Sequence, residues 1–203
     1  SGLFQRFTFL LEQANLPIRE VELLYVMIGM GSFGMLVGLL IGAGLLITLA
    51  IGVLGALLPY MWVRHKAHAR KKAFELQLAD VLSTVASSLR AGHSFNQSIA
   101  AVAKETPNPT AHELHRVMTE ARLGLPLEEA LEAMARRMGS QDFDFAVTTV
   151  NIQRTVGGSL SEILEMVADT VRGRQQFRKK VKALTSMGSM SAYVLLGMPF
   201  FMG

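Results

Sequence analysis

Few side chains in this sequence have the type and spacing that chemistry requires. His112 and His115 stand three apart around Glu113, and on a helix such residues can share a face, as metal ligands do. A zinc-type site needs three or four ligands, no further set accompanies these, and H-E-x-x-H is not matched, so the group reads as a solvated helix face. His65 and His68 fall in a basic run and His93 in a turn, where polar, solvated roles fit better than proton transfer. Glu128, Glu129 and Glu132 decorate one helix surface, with Glu132 and Arg136 an i, i+4 pair, and offer an acidic face to a partner. Gly29 to Gly34 spells G-x-G-x-x-G, but a preceding strand and an acidic residue about twenty positions on are missing, so no dinucleotide site is expected. Neither a G-x-S-x-G elbow nor a G-x-x-x-x-G-K-[ST] phosphate loop occurs, so the chain is not itself a P-loop ATPase. With no cysteine there is no disulfide framework and no thiolate. The twelve methionines suit adaptable packing. The expectation is a protein without catalytic residues, metal or cofactor.

The elements around these residues explain the scarcity. Leu23 to Val63 runs forty-one residues without Asp, Glu, Lys or Arg. One helix of that length would reach about 60 Å, twice the ~30 Å hydrocarbon core of a bilayer, so two spans are expected, turning at Gly42-Ala43-Gly44. Gly34, Gly38 and Gly42 recur every fourth residue, as do Gly44, Thr48, Gly52 and Ala56; small residues at that spacing let two spans approach closely. Pro59, Tyr60 and Trp62 close the second span at the interface.

Charge is sorted along the chain. Arg64 to Lys72 holds five basic and no acidic residues, Arg172 to Lys182 six and none, and Ala73 to Val171 between them seven basic against thirteen acidic. Positive charge thus sits at membrane borders, marking the cytoplasmic side and attracting anionic headgroups, and no aromatic-interleaved basic face suggests nucleic acid. Before the hairpin, Leu3, Phe4, Phe7, Leu10, Leu11 and Ala14 predict a short interfacial helix, and no signal-peptide pattern is present.

After Arg64 the pattern is helix upon helix. Phe74, Leu78, Val81, Leu82, Val85 and Leu89 continue the second span into the cytoplasm as far as Gly92-His93. Ser94/Gln97, Thr110/Glu113 and Ser159/Glu162 predict capping boxes, Ser140 an N-cap, and Pro126 a first-turn proline. Inward stripes follow: Phe95, Ile99, Val102; Leu114, Val117, Met118, Ala121; Ala130, Leu131, Met134, Met138; Phe143, Val147, Val150; and Leu160, Ile163, Leu164, Val167, Val171, Phe177, Val181, Leu184. Ala183 to Gly203 is uncharged, a third span from about Met187 that we expect to be truncated, with a fourth beyond. The expected fold is all-α: an interfacial helix (1–20), a transmembrane hairpin (21–63), a cytosolic bundle of about six helices (64–186) and a further transmembrane helix (187–203).

Three segments carry a family resemblance: Leu89-Arg90-Ala91-Gly92-His93-Ser94-Phe95, then Arg122-Leu123-Gly124-Leu125-Pro126-Leu127-Glu128-Glu129-Ala130-Leu131, then Ile152-Gln153-Arg154 through Gly157-Gly158-Ser159-Leu160-Ser161-Glu162-Ile163-Leu164. Together they resemble the type II secretion F domain, with order and spacing most similar to the B-type platform proteins of the tight-adherence (Flp) pilus. The likeness runs from about Lys72 to the end, and the segment from Leu10 to Pro17 with the hairpin also resembles the family's upstream region. Gly92, Gly157 and Gly158 take the family's turn positions; Thr155 stands where the family usually has Glu. The resemblance implies a non-enzymatic, multi-pass inner-membrane platform with its helical domain in the cytoplasm. The partners it implies are a cytosolic hexameric ATPase, a second, C-type F-domain subunit and the pilin subunits moved from membrane to fibre, in a homo- or hetero-oligomer. A static scaffold or sensor is the alternative; a membrane transporter or enzyme is opposed by the absence of ionisable residues within the first two spans.

Overall fold

The computed structural model describes residues 20–42 and 44–202, with side chains from Val21 to Ala183 apart from Ala43 and Lys182. The interfacial helix expected before Glu20 and the side chains of the third apolar segment lie outside these. Among the described residues there are seven helices and no strand, and about 88% of those residues are helical: α1 (Glu20–Leu40), α2 (Leu45–Arg90), α3 (Phe95–Glu105), α4 (Thr110–Arg122), α5 (Leu127–Met138), α6 (Gln141–Val156) and α7 (Leu160–Met202).

Helices α1 and the first half of α2 form the hairpin, and both are long and apolar enough to cross a membrane. Their outward faces expose Tyr25, Phe33, Leu39, Leu46, Leu54 and Trp62, among others, surface that water would penalise and a bilayer would cover. The seam is made by missing side chains. A Cβ on Gly34 would stand 3.0 Å from the Ile51 carbonyl oxygen, one on Gly38 3.0 Å from Thr48 Cα, one on Gly52 2.6 Å from Met35 Cγ, and Ala56 meets Gly31. The expected stripe needs correcting at its ends, where Gly42 and Gly44 face open space and Gly42 instead supplies the turn with φ +68°. Gly55 joins the seam unannounced: its Cβ would stand 2.8 Å from the backbone oxygen of Met30, which cannot swing aside. Gly55→Val should therefore part the helices and cost about 1–3 kcal/mol of hairpin packing, read as a lower midpoint in an SDS-detergent titration, with exposed Leu54→Val unchanged.

Helix α2 is 46 residues long with Pro59 inside it, and it passes from hairpin to bundle without a break. In the bundle each helix packs on the next, and α7 returns along α2 to close the ring. The core between them gathers Phe74, Leu78 and Val85 of α2 with Ile99, Val102, Leu114, Val117, Met134, Met138, Phe143, Val147, Leu164 and Val171. Phe74 meets Phe143 edge to face at 5.3 Å between ring centres. The predicted stripes are thus inward through Val171. Phe177 and Val181 are not; both are exposed, and the face of α7 turned to α2 and α6 at that level is taken by Arg174, Gln175 and Arg178.

Caps decide where the short helices begin. Ser94 and Gln97 form the full reciprocal box, Ser140 Oγ accepts from Phe143 N–H, and Ser159 Oγ accepts from Glu162 N–H. The box expected at Thr110 and Glu113 does not form. Pro109 precedes the helix, Thr110 Oγ1 donates to Gln77 Oε1 of α2, and the Glu113 carboxylate turns inward. Pro126 stands one position before the first turn rather than in it.

Candidate functional site

A charged clasp at the end of the bundle nearest the hairpin is where sequence and geometry concentrate polar chemistry. Its centre is Glu113 on α4, 1% exposed. Arg70 of α2 donates through Nη2 to Glu113 Oε1 (2.8 Å), and Arg137 of α5 through Nε to Oε2 (2.9 Å). Arg137, itself buried, also reaches Glu120 Oε1 through Nη1 at 3.4 Å, and Arg116 donates to the same oxygen at 2.9 Å. Burial alone would push the Glu113 carboxyl up. The hydrogen bonds and charges of Arg70 and Arg137 outweigh it and hold the group below the ordinary carboxylate range.

A second set of ties lies beside the first. Asp142, in the first turn of α6 and almost fully buried, accepts from Arg174 Nη1 of α7 at 2.7 Å and lies 3.9 Å from Arg178. Arg178 also stands 3.7 Å from Glu75 of α2. Gln77 donates to the Asn108 carbonyl at 3.1 Å, and Gln175 to the Glu75 carbonyl. The two long helices are thus fastened to each other and to the starts of α4 and α6 at one level.

Away from this level the ties are exposed: Arg172 to Asp80 at 3.5 Å midway along the bundle, and Arg90 to Glu165 at 2.9 Å at the opposite end. Pairs of that kind contribute ~0–1 kcal/mol each, whereas the Glu113 pairs, once formed, cannot lose a member cheaply.

The acidic residues singled out as a partner face are partly engaged. Glu128 pairs with Arg154, Glu132 accepts from Asn151 Nδ2 at 2.9 Å and faces Arg136 at 4.0 Å, and Glu129 is exposed. His112 and His115 are exposed while Glu113 faces the core, so the three do not share a face, and the solvated reading fails for Glu113. Among the described residues no group of three or more His, Asp or Glu is placed to hold a metal. Gly157 (φ +82°) and Gly158 (φ +137°) turn the chain from α6 into α7, and Gly92 (φ +91°) turns it from α2 into α3 at the same end.

Arg70, Arg137, Asp142 and Arg174 escaped the sequence reading. A signal existed for two of the buried charges. Glu113 falls in phase with Leu114 and Val117, and Arg137 lies between Met134 and Met138, both inside inward stripes. A charge in a core stripe calls for a partner of opposite sign.

What the fold and the clasp define is a helical scaffold: a bundle fastened at its base to two long helices, one of which continues into an apolar hairpin. Residues 81–203, more than half of the chain, match the family described as type II secretion system (T2SS), protein F, and the chain belongs to that family. No curated protein and no solved structure matches it. Proteins of the family are non-catalytic, inner-membrane-associated platforms of secretion or pilus assembly that work with secretion ATPases and other secretion components.

Proposed function

We infer that this chain is a non-enzymatic, multi-pass platform subunit of the inner membrane, its bundle in the cytoplasm, serving a tight-adherence type IV pilus assembly machine. In this reading a cytosolic hexameric ATPase acts on the bundle, a second, C-type F-domain subunit stands beside it, and pilin subunits are drawn from the membrane into the fibre. The supporting observation is mechanical: α2 leaves the hairpin and enters the bundle as one helix, and the Arg70–Glu113–Arg137 clasp fastens it there. A displacement of the bundle is then carried to the hairpin without a flexible joint. The stripe of Gly34, Gly38, Gly52 and Ala56 lets the hairpin move as one body, and Glu129, with Glu128 and Glu132 beside it, offers the motor an acidic contact.

Two measurements test this. Co-purification from membranes with an epitope on this chain should recover a hexameric ATPase and a second F-domain protein; recovery of a self-assembly alone would favour a free-standing scaffold. Inserting two glycines after Ala69 should abolish pilus assembly while leaving the chain in the membrane and the ATPase bound. Assembly surviving the insertion would leave a static scaffold as the better reading.

A further inference from the structure

We propose that the emergence of α2 from the hairpin carries a specific site for one anionic phospholipid, rather than a diffuse basic border. The proposal rests on the reading that the hairpin spans the bilayer. One face of α2 presents Leu54, Leu57, Met61, Arg64 or His65, and His68 at successive steps of three or four, so these residues form a single stripe. The first three are exposed and apolar; Arg64, His65 and His68 are exposed and basic. Along the stripe, hydrocarbon gives way to cation at one point, the order in which a phospholipid presents acyl chain and phosphate.

The geometry has room for a headgroup at that point. A groove of about 510 Å³ lies elsewhere, on the hairpin, and is apolar throughout; the one here, about 590 Å³, is lined by Tyr60, Met61, Arg64, His65, His68 and Lys71. The cations around it differ in what they are given to do. Arg70 is held by Glu113, and Lys71 leans towards Glu75 at 3.9 Å. Lys66 sits over the Trp62 ring at 5.2 Å, an aromatic and cation pair typical of headgroup depth. No ion pair among the described residues holds Arg64, His65 or His68. Between Glu22 and Glu75 the sequence has no carboxylate; Glu22 stands on α1 beside Leu23, which packs on Val63 and Ala67, and Glu75 is turned to Lys71 and Arg178. Arg64, His65 and His68 fall within about 6 Å of axial rise, a span one phosphodiester can bridge.

The test uses the full chain in lipid nanodiscs, with bound lipid counted by native mass spectrometry after release. Phosphatidylglycerol should be retained at one molecule per chain in preference to phosphatidylcholine. Arg64→Gln with His68→Gln should weaken that retention about tenfold, roughly 1.4 kcal/mol, with helical circular dichroism unchanged. Lys179→Gln with Lys180→Gln, which removes basic charge from α7, should leave retention intact, and inorganic phosphate should not compete. Equal retention of the two lipids, equal loss in the α7 variant, or competition by phosphate would each overturn the site while leaving the membrane reading standing. Release of the chain from membranes by alkaline carbonate would overturn both.

Discussion

Glu113→Ala lowers the stability of the bundle by about 3–5 kcal/mol, the expected result of leaving two guanidinium groups facing a buried space with no carboxylate between them. Arg137 has the worse position. Its side chain is 7% exposed, and its remaining contact is Glu120 at 3.4 Å, whereas Arg70 at 11% can turn towards solvent. The measurement is urea unfolding of the full chain in detergent by circular dichroism, where the micelle protects the hairpin and the transition reports the bundle. Arg116→Ala, which removes an exposed partner of Glu120, should cost under about 1 kcal/mol. Glu113→Leu with Arg137→Met should recover most of the loss, because replacing a whole buried pair is far cheaper than halving it. Acid should reproduce the defect. The Glu113 carboxyl is held low in the folded chain, so its contribution is complete above the ordinary carboxylate range and disappears as pH falls through the lowered folded value. Wild type should therefore lose stability on acidification by more than Glu113→Ala does; parallel pH curves would remove the clasp from the account.

Phe74→Ala is the second large effect, at about 3–5 kcal/mol. Phe74 is fully buried, packs its ring against Phe143, and sits on α2 four residues beyond Arg70. Truncation opens a cavity beneath the clasp that the rigid helices around it cannot refill. Phe74→Leu keeps most of the volume and should cost less than half as much. The two Phe74 variants and Glu113→Ala act on neighbouring parts of one base, so Phe74→Ala combined with Glu113→Ala should fall short of the sum of the single losses. Strict additivity would mean that the aromatic contact and the charge clasp hold separate units.

Much of this architecture was legible because burial follows helical period. The inward stripes from Phe74 to Val171 were readable from spacing alone, as were the glycine turns at Gly92 and Gly157-Gly158 and the box at Ser94 and Gln97. The candidate site was much less legible. A side chain such as Glu113 satisfies the pattern of a capping box and of a core position at once, and only the placement of Arg70, 43 positions earlier, and Arg137, 24 later, decides between them. Local rules register neither distance. Phe177 fails the other way: six residues past Val171 it lies about 120° off the stripe, and the in-phase positions belong to Arg174, Gln175 and Arg178, which face Asp142 and Glu75. Gly55 was missed because it sits beside the four-residue repeat, at a place where only the approach of Met30 gives it a purpose.

The unbroken course of α2 sets an angle as well as a distance. Each residue of a helix turns the next by about 100°, so the azimuth at which the bundle faces its neighbours is counted out by the residues between Val63 and Arg70. One residue added after Ala67, where the packing of Val63 and Ala67 on Leu23 is kept, would swing the bundle about 100° around the hairpin axis with its internal contacts preserved, while seven added would bring it back to within about 20° and lift it ~10 Å. Any ring of such subunits is therefore phased by the length of a segment whose own buried residues, Val63 and Ala67, pack on Leu23 of α1 and not in the core of the bundle. Deletions and insertions in that segment act on the symmetry of an assembly before they act on the fold.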